Sequence, residues 1–230
     1  MMYLSKVILN PNSPAALRAL ADGYAFHQLI YSAFRDGPGD LGRVLYRVEE
    51  DAARQGAPLV LVQSEAEPDW EPIAIQGGAI CSAVSKPFSP EFASEQVLRF
   101  RVRANPTVKR KFGEDAKLPG HRRVGLYKHV EQRAWLDRKA ATGGFDILEV
   151  TLTGGRTERI QNASVSAPSI EQFRKPDPEA TSGFHKVRHL SVTFNGLLRV
   201  TDPETFVQTL ANGIGSAKGF GFGLLSVARV

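Results

Sequence analysis

Tyr24 and His27 stand three residues apart on a predicted helix, a spacing that would place both side chains on one face. RNA offers a use for such a pair. A base removes the proton of a ribose 2′-hydroxyl, the oxygen attacks the adjacent phosphorus, and an acid protonates the departing 5′-oxygen. Histidine has an ordinary pKa of about 6.5 and can do either task, and a phenol can donate a hydrogen bond to the phosphate or position the hydroxyl. From spacing alone, a packed Tyr–His pair in a helix core is the more common arrangement, so the two residues are a candidate only.

The other histidines and the single cysteine predict no metal site. His185 and His189 would lie ~13 Å apart on one strand, at ~3.3 Å per residue, which is too far for one ion. His121 falls in a predicted basic loop, and His129 begins a predicted helix without a carboxylate–histidine pattern. Cys81 alone excludes an internal disulfide and a cysteine-based zinc site. We therefore expect no metal and no cofactor, as 2′-hydroxyl chemistry requires none.

A glycine-rich segment, Asn212 to Gly223, lies between a predicted helix and a predicted strand near the end of the chain. Glycine permits positive φ and close backbone approach, so successive N–H groups can point into one concavity and bind an anion. Lys218 would add a positive charge there. The candidate RNA-binding residues of this segment are Gly213, Gly215, Lys218, Gly219, Gly221 and Gly223.

Two nucleotide-binding motifs do not fit this segment. A Walker loop places Gly-Lys-Ser/Thr before a helix, whereas here the helix comes first and Gly219 follows Lys218. A dinucleotide-binding loop fails on the same order and on glycine spacing. The stretch beginning at Lys218 matches the front of the RNA-recognition signature in part, since Gly223 and Leu225 replace its valine and last aromatic. The alternative is a turn that only allows tight packing of the last strand. The interleaved lysine and aromatics favour phosphate or RNA contact over that alternative.

Basic residues are densest between Arg99 and Arg123, where they could follow a phosphate backbone. Residues 96–103 alternate apolar and basic side chains, as in a strand with one cationic face. The lysine-rich part that follows is almost equally well explained as a solvated loop. A second candidate is a predicted hairpin tip at residues 154–159, which could enter an RNA groove or be ordinary surface. The candidate RNA-binding residues are Arg101, Arg103, Lys109, Arg110, Arg122, Arg156 and Arg159.

The 230-residue chain carries a formal net charge of +5, which favours a polyanionic partner without proving one. Its first residues lack the basic and apolar regions of a signal peptide. No stretch approaches the ~18–20 apolar residues that span a bilayer. We expect a soluble protein of the reducing cytoplasm with no membrane partner.

The element pattern predicts an α+β fold of two tandem ferredoxin-like (RRM-like) domains, residues 1–92 and 93–230. Ser13 and Pro14 are expected to begin a helix that Asp22-Gly23 breaks or re-caps and that Gly37-Pro38-Gly39 ends. Residues 65–95 look like a linker or a long excursion. Predicted strands cover 2–9, 43–48, 58–63, 96–103, 145–152, 159–167, 187–194 and 222–227, and two further helices cover 129–141 and 202–211.

Four segments together resemble the CRISPR-associated repeat-RNA endonucleases of the type I-E Cascade complex, the CasE family. They span nearly the whole chain in family order, and the last is the most specific. They are Leu9-Asn10-Pro11 followed by Tyr24-x-x-His27; Leu98-Arg-Phe-Arg-Val-Arg-Ala-Asn-Pro106; Trp135-Leu-Asp-Arg-Lys139 followed by Gly144-Phe145; and Gly213-Ile-Gly-x-x-Lys218-Gly-Phe-Gly-Phe-Gly-Leu-Leu-Ser226.

The resemblance implies metal-independent cleavage of a precursor CRISPR RNA at the 3′ base of the repeat hairpin. The implied products carry a 2′,3′-cyclic phosphate and a 5′-hydroxyl. It also implies that the enzyme stays on its product hairpin and becomes a subunit of Cascade beside other Cascade subunits. By position, His27 matches the family's catalytic histidine, Tyr24 its active-site tyrosine, and residues 213–223 its signature loop.

The chain departs from the family pattern at one place. Some members have a lysine one turn beyond the histidine, whereas none of residues 28–32 in this chain is a lysine. Phosphate neutralisation would then fall to another cation, and Arg35 and Lys218 are the candidates. Two other functions remain open from the residues themselves. One is a non-catalytic subunit that binds the RNA hairpin, and the other is a general ferredoxin-like RNA or ribosome factor.

Overall fold

A computed structural model of the protein describes residues 1–34, 42–49, 56–75, 78–112, 120–154, 156–177 and 183–230. At 75, 112, 120, 151–154, 156–160 and 175 it describes the backbone alone. The strands are β1 Met2–Leu9, β2 Val44–Glu49, β3 Leu59–Ser64, β4 Ile80–Phe88, β5 Val97–Ala104, β6 Thr107–Phe112, β7 Gly120–Gly125, β8 Phe145–Ile147, β9 Glu149–Gly154, β10 Arg156–Gln161, β11 Ala163–Val165, β12 Ser169–Pro176, β13 Phe184–Val200 and β14 Leu225–Arg229. The helices are α1 Pro14–Ala21, α2 Gly23–Tyr31, α3 Glu71–Ile75, α4 His129–Thr142 and α5 Pro203–Asn212, with 3₁₀ turns at Ser32–Phe34 and Lys218–Phe220.

The first sheet has four antiparallel strands in the order β2-β3-β1-β4. With α1 and α2 after β1 and α3 before β4, this is the β-α-β-β-α-β order of a ferredoxin-like unit. The predicted helix start is confirmed, because the Ser13 side chain accepts a hydrogen bond from the Ala16 N–H and Pro14 is the first helical residue. The predicted re-capping is confirmed as well, since the Asp22 carboxylate accepts from the Tyr24 N–H. The expected end at Gly37-Pro38-Gly39 lies outside the described residues.

The interpretation of residues 65–95 as a linker or excursion is wrong, because the segment contains α3 and β4. β4 is the edge strand of the first sheet, and most of its side chains are exposed. Its sequence therefore lacks the apolar alternation that marks a half-buried strand. Pro87 is compatible with this position, since an edge strand leaves one row of N–H groups unpaired.

The main strand order of the second sheet is β11-β13-β5-β14, and β8 and β12 also pair with β13. With α4 after β5 and α5 before β14, it forms a second ferredoxin-like unit. The tandem ferredoxin-like architecture is therefore confirmed. The first sheet ends at Phe88 and the second begins at Val97, and the exact division at residues 92 and 93 stays a prediction.

Several boundaries in the second unit differ from the sequence-based ones. The predicted strand at 145–152 is two strands, β8 and β9, and the one at 159–167 is β10 and β11. The predicted strand at 187–194 is the centre of the 17-residue β13. The basic segment expected as a loop, with His121 in it, forms the β6–β7 hairpin on both sides of the undescribed residues 113–119. The last strand begins at 225 instead of 222, because Gly221 and Gly223 adopt φ of +80° and +86°.

Each unit buries its own apolar cluster between the sheet and its helices. The first cluster includes Phe26 and Ile30 of α2, and the second includes Trp135 of α4 and Phe206 of α5. Burial of side chains of this size contributes roughly 1.5–3 kcal/mol each, which fixes the helices against the sheets. α2 therefore presents the remaining side chains of its surface from a rigid support.

Candidate active site

Helix α2 sets the position of His27. Its buried face, Phe26 and Ile30, packs in the core of the first unit and leaves His27 half-buried beside it. Gly23, the first residue of the helix, lets α2 approach β12 closely. A Cβ at that position would collide with the ring of Phe173. The sequence of α2 thus places His27 where the second unit reaches the first.

The glycine-rich segment, residues 213–223, follows α5 and is closed by its own backbone. Gly223 donates to the Arg103 carbonyl over 2.7 Å, and its own carbonyl accepts from the Ile214 N–H over 2.9 Å. A Cβ at Gly223 would lie 2.7 Å from the Ile214 carbonyl, and the residue has φ of +86°, so only glycine fits without strain. The N–H groups of Ile214, Phe220 and Gly223 all bond within the protein and are not directed at an anion. The predicted binding of RNA by this segment stays a prediction.

The histidine and the glycine-rich segment meet in one hydrogen bond. His27 Nδ1 lies 2.8 Å from the Gly219 carbonyl oxygen, across 192 residues of sequence. The Tyr46 hydroxyl donates to the same oxygen over 2.9 Å. A carbonyl oxygen can only accept, so Nδ1 carries the proton and Nε2 of the neutral ring is left with its lone pair. The bond therefore fixes both the orientation and the tautomer of the imidazole.

Burial adjusts the protonation of this ring. Partial burial lowers the pKa of His27 below its usual value, and the hydrogen bond to Gly219 opposes that shift in part. The neutral form therefore predominates at neutral pH. A neutral imidazole with a fixed acceptor nitrogen is suited to general-base catalysis.

Aromatic rings surround the imidazole. The ring centroids of Tyr24 and His27 are 6.3 Å apart, so the spacing argument placed this pair correctly. Tyr31 lies closer, with its ring centroid 4.0 Å from that of His27, and Phe220 of the glycine-rich segment lies at 5.8 Å. Phe220 stacks on Phe173 with centroids 5.0 Å apart. The sequence did offer a signal for Tyr31, which stands four residues after His27 on the same helix. Nothing local pointed to Phe173 or Tyr46.

A cavity of about 240 Å³ opens beside Phe220, between the two units. Its apolar walls include Gly23, Phe26, Tyr46 and Phe173. Phe220 borders this space, and its ring centroid lies 5.8 Å from that of His27. The site therefore combines an oriented base with a partly aromatic recess.

Arg101 and Arg103, two predicted RNA-binding residues on β5, are paired with carboxylates. Arg101 Nη1 lies 2.8 Å from Glu49 Oε2, and Arg103 Nη2 lies 2.5 Å from Glu171 Oε1. The Arg103 guanidinium also lies 4.7 Å from the ring centroid of Phe222. Glu49 is shared with Arg47, which is almost fully buried and donates to the Leu224 carbonyl over 3.1 Å. Arg47 and Arg101 therefore join the two units, whereas the Arg103–Glu171 pair lies within the second unit. Contact of Arg101 and Arg103 with RNA stays a prediction.

The remaining predicted RNA-binding residues lie on two hairpins. Lys109 and Arg110 are on β6, where they face Arg123 and Arg122 of β7, and Arg110 Nη2 lies 3.5 Å from Glu131. Arg156 and Arg159 are on β10, whose side chains at these positions lie outside the described part. Arg35 also lies outside it. The structure brings together Tyr24, His27 and the glycine-rich segment with Lys218, whereas Lys109, Arg110 and Arg122 lie on the β6–β7 hairpin.

No group of three or more histidine, cysteine or carboxylate side chains that could hold a metal occurs in the part of the chain that the structure describes. His185 Nε2 pairs with Asp177 at 2.6 Å, and His189 Nδ1 lies 3.2 Å from the Asn105 amide nitrogen. Among the described helices, none has the length and apolar character needed to cross a membrane.

Comparison with known proteins gives the family. The family model of CRISPR-associated proteins matches residues 2–229. The chain is 38% identical to the CRISPR-associated endoribonuclease Cse3 of Thermus thermophilus, over 99% of this chain and 100% of the relative. It is 31% identical to the CRISPR system Cascade subunit CasE of Escherichia coli, over 99% of both chains. A solved structure of endoribonuclease Cse3 bound to a 19-nt RNA superposes with a TM-score of 0.78 at 36% identity, covering 99% of this chain and 100% of that one.

The chain therefore belongs to the CRISPR-associated protein family. Within that family, its full-length similarity to Cse3 and CasE makes it an endoribonuclease.

Proposed function

We propose that this protein cuts precursor CRISPR RNA at the 3′ base of the repeat hairpin, without a metal, by attack of the RNA's own 2′-hydroxyl. The 2.8 Å hydrogen bond between His27 Nδ1 and the Gly219 carbonyl carries the proposal. It leaves Nε2 of the neutral ring as an acceptor whose orientation is fixed by the bond at Nδ1. The relatives that are named endoribonuclease Cse3 and Cascade subunit CasE, and a Cse3 structure with RNA bound, support the choice of substrate.

In the proposed reaction, His27 Nε2 accepts the proton of the 2′-hydroxyl upstream of the cut. The 2′-oxygen forms a bond to phosphorus while the bond from phosphorus to the 5′-oxygen breaks. His27 then returns its proton to the departing 5′-oxygen, and the ring becomes neutral again. The products are a 2′,3′-cyclic phosphate and a 5′-hydroxyl. Tyr24 on the same helix face donates a hydrogen bond to the reacting phosphate.

Binding of the hairpin is assigned to the basic and glycine-rich surfaces. Phosphate contacts from arginine and lysine supply affinity and fix the register of RNA, whereas base contacts supply sequence preference. In this proposal the enzyme keeps its product hairpin and assembles with other Cascade subunits in the cytoplasm. The RNA-binding residues are Gly213, Gly215, Lys218, Gly219, Gly221, Gly223, Arg101, Arg103, Lys109, Arg110, Arg122, Arg156 and Arg159.

The chemistry is tested with two repeat hairpins that differ only in the ribose before the scissile phosphate, one with a 2′-hydroxyl and one 2′-deoxy. We expect the wild-type protein to cut the first in the presence of EDTA and to bind but not cut the second. Cleavage of the deoxy hairpin, or loss of cleavage in EDTA, would show that water and a metal do the chemistry. Tight binding without any cleavage would identify a non-catalytic hairpin-binding subunit instead.

A further inference from the structure

Three cationic residues from distant parts of the sequence belong to the glycine-rich segment or to the two elements that pack against it. Arg43 precedes β2, Lys139 is in the last turn of α4, and Lys218 belongs to the segment itself. Of these, only Lys218 entered the proposed RNA-binding set. The packing of the segment explains why the other two lie close to it.

The glycine-rich segment is held between β2 and α4. A Cβ at Gly213 would lie 2.8 Å from Leu45 Cδ1, and a Cβ at Gly215 would lie 3.0 Å from Trp135 Cζ2. Arg43 stands two residues before Leu45, so extended backbone directs both to the same face of the first sheet. Lys139 stands four residues after Trp135 and shares its helix face. Both cations therefore lie on surfaces that contact this segment.

Lys218 completes the cluster. A Cβ at Gly223 would lie 3.2 Å from Lys218 Cγ, so the lysine stem folds back over the segment instead of extending into solvent. Burial lowers the pKa of Lys218, and the positive charges of Arg43 and then Lys139 lower it further. In the described part of the chain, none of the three forms a salt bridge with a carboxylate. A fold that holds like charges together at a cost in free energy provides a site for an anion.

The cluster also lies beside the proposed base. The positive charge of Arg43 acts on Tyr31, where it opposes the rise in pKa that burial causes. The Tyr31 ring centroid is 4.0 Å from that of His27. Gly219, which follows Lys218, accepts the hydrogen bond of His27. Tyr31 and Gly219 thus link the surroundings of Arg43 and Lys218 to the imidazole.

We propose that Arg43, Lys139 and Lys218 form one phosphate-binding cluster, with Arg43 on the reacting phosphate and Lys139 on a neighbouring phosphate of the RNA backbone. The assignment rests on the proposed function, which supplies the ligand. A guanidinium offers two parallel donors to phosphate oxygens and stabilises the charge that develops on them, whereas an ammonium acts as a point charge. Arg43 would then occupy the role left open by the departure from the family pattern after His27.

The test compares Arg43→Gln, Arg43→Lys and Lys139→Gln with a matched control, Lys86→Gln. Lys86 is an exposed lysine on β4, at the opposite edge of the first sheet from β2. Single-turnover cleavage of the repeat hairpin is measured at saturating protein, and affinity is measured with the 2′-deoxy hairpin over a range of salt. Unchanged thermal unfolding midpoints check that each variant folds.

Arg43→Gln should reduce the cleavage rate roughly 10²-fold, as loss of a donor to a developing oxyanion does. Arg43→Lys keeps the charge but loses the paired donors, so it should recover only part of the rate. Lys139→Gln should leave the rate within a few-fold but reduce the slope of log affinity against log salt by about one. A hairpin in which an uncharged methylphosphonate replaces the phosphate that Lys139 contacts should bind to Lys139→Gln with no further loss of affinity. Lys86→Gln should match the wild type in every measurement.

If the wild type cleaves and both Gln variants match Lys86→Gln, the cluster is refuted and the proposed function stands. If the wild type does not cleave, the proposed function fails. The cluster is then tested only by the slopes of log affinity against log salt. Slopes for Arg43→Gln and Lys139→Gln equal to that of Lys86→Gln would then overturn it.

Discussion

The seam between the two ferredoxin-like units has two regions that differ in how their positive charges are balanced. In one region, here called the paired region, Arg47, Arg101 and Arg103 meet Glu49 and Glu171. In the other, the open region, His27 lies with Arg43, Lys139 and Lys218, for which the described residues provide no carboxylate partner. Residue type alone does not separate the two regions. The two regions differ in whether their cations have carboxylate partners. This difference indicates that the paired region joins the units, whereas the open region is arranged to bind an anion.

Breaking the ion pairs of the paired region should strongly lower the free energy of unfolding, because part of this region is buried. Arg47 has a side-chain exposure of 4% and Glu49 of 11%, and Arg47 also donates to the Arg101 and Leu224 carbonyls. Removing one member of a buried ion pair leaves the other charge without compensation. The largest effect on stability is therefore expected here.

Glu49→Gln should lower the free energy of unfolding by about 3 kcal/mol, since the buried Arg47 charge loses its partner. The matched control is Glu95→Gln, which breaks the exposed pair of Glu95 and Arg199 and should cost less than about 1 kcal/mol. Denaturant unfolding followed by circular dichroism measures both. Equal losses in the two variants would show that the paired region does not hold the units together.

Gly221→Ala should weaken cleavage and cost about 1–2 kcal/mol of stability, because Gly221 has φ of +80° and an alanine Cβ would lie 3.0 Å from Tyr46 Cε2. Gly183→Ala is the matched control, with φ of +71° and open space around the position. Both substitutions strain the backbone, but only the first displaces Tyr46 and the segment that orients His27. Single-turnover rates that fall equally in both variants would contradict this explanation.

Tyr46→Phe should slow cleavage by a few-fold, up to about 10-fold. It removes one donor to the Gly219 carbonyl, a bond worth about 0.5–1.5 kcal/mol, and leaves His27 as the other donor. Tyr127→Phe, at an exposed tyrosine, serves as the control. A rate for Tyr46→Phe that matches Tyr127→Phe would mean that this carbonyl is held in place without the phenol.

The smallest expected effect is that of pH on the cleavage rate within the neutral range. Burial lowers the pKa of His27 below about 6.5, so the neutral base is already dominant at pH 7. We expect the single-turnover rate to be nearly constant from pH 7 to 8 and to fall on acidification, as protonation removes the Nε2 lone pair. A rate that instead rises toward pH 5 would show that the imidazolium form is the one required.

The sequence predicted those features that depend on local chemistry. Ser13 and Asp22 cap helices, and the spacing of Tyr24 and His27 puts them on one face, because such patterns act within one turn. The pairing of Arg101 with Glu49 was not predictable, since it joins two strands in different units. The same holds for the bond from His27 to Gly219, which spans 192 residues. β4 was missed because an exposed edge strand carries no apolar alternation.

The most direct test of the open region is single-turnover cleavage of the repeat hairpin by the wild type and by His27→Ala, with hairpin affinity measured in parallel. The variant should bind within a few-fold of the wild type and cut about 10²–10⁴ times more slowly, which is the usual contribution of a general acid–base group. Cleavage by His27→Ala at the wild-type rate would contradict the assignment of His27 as the base.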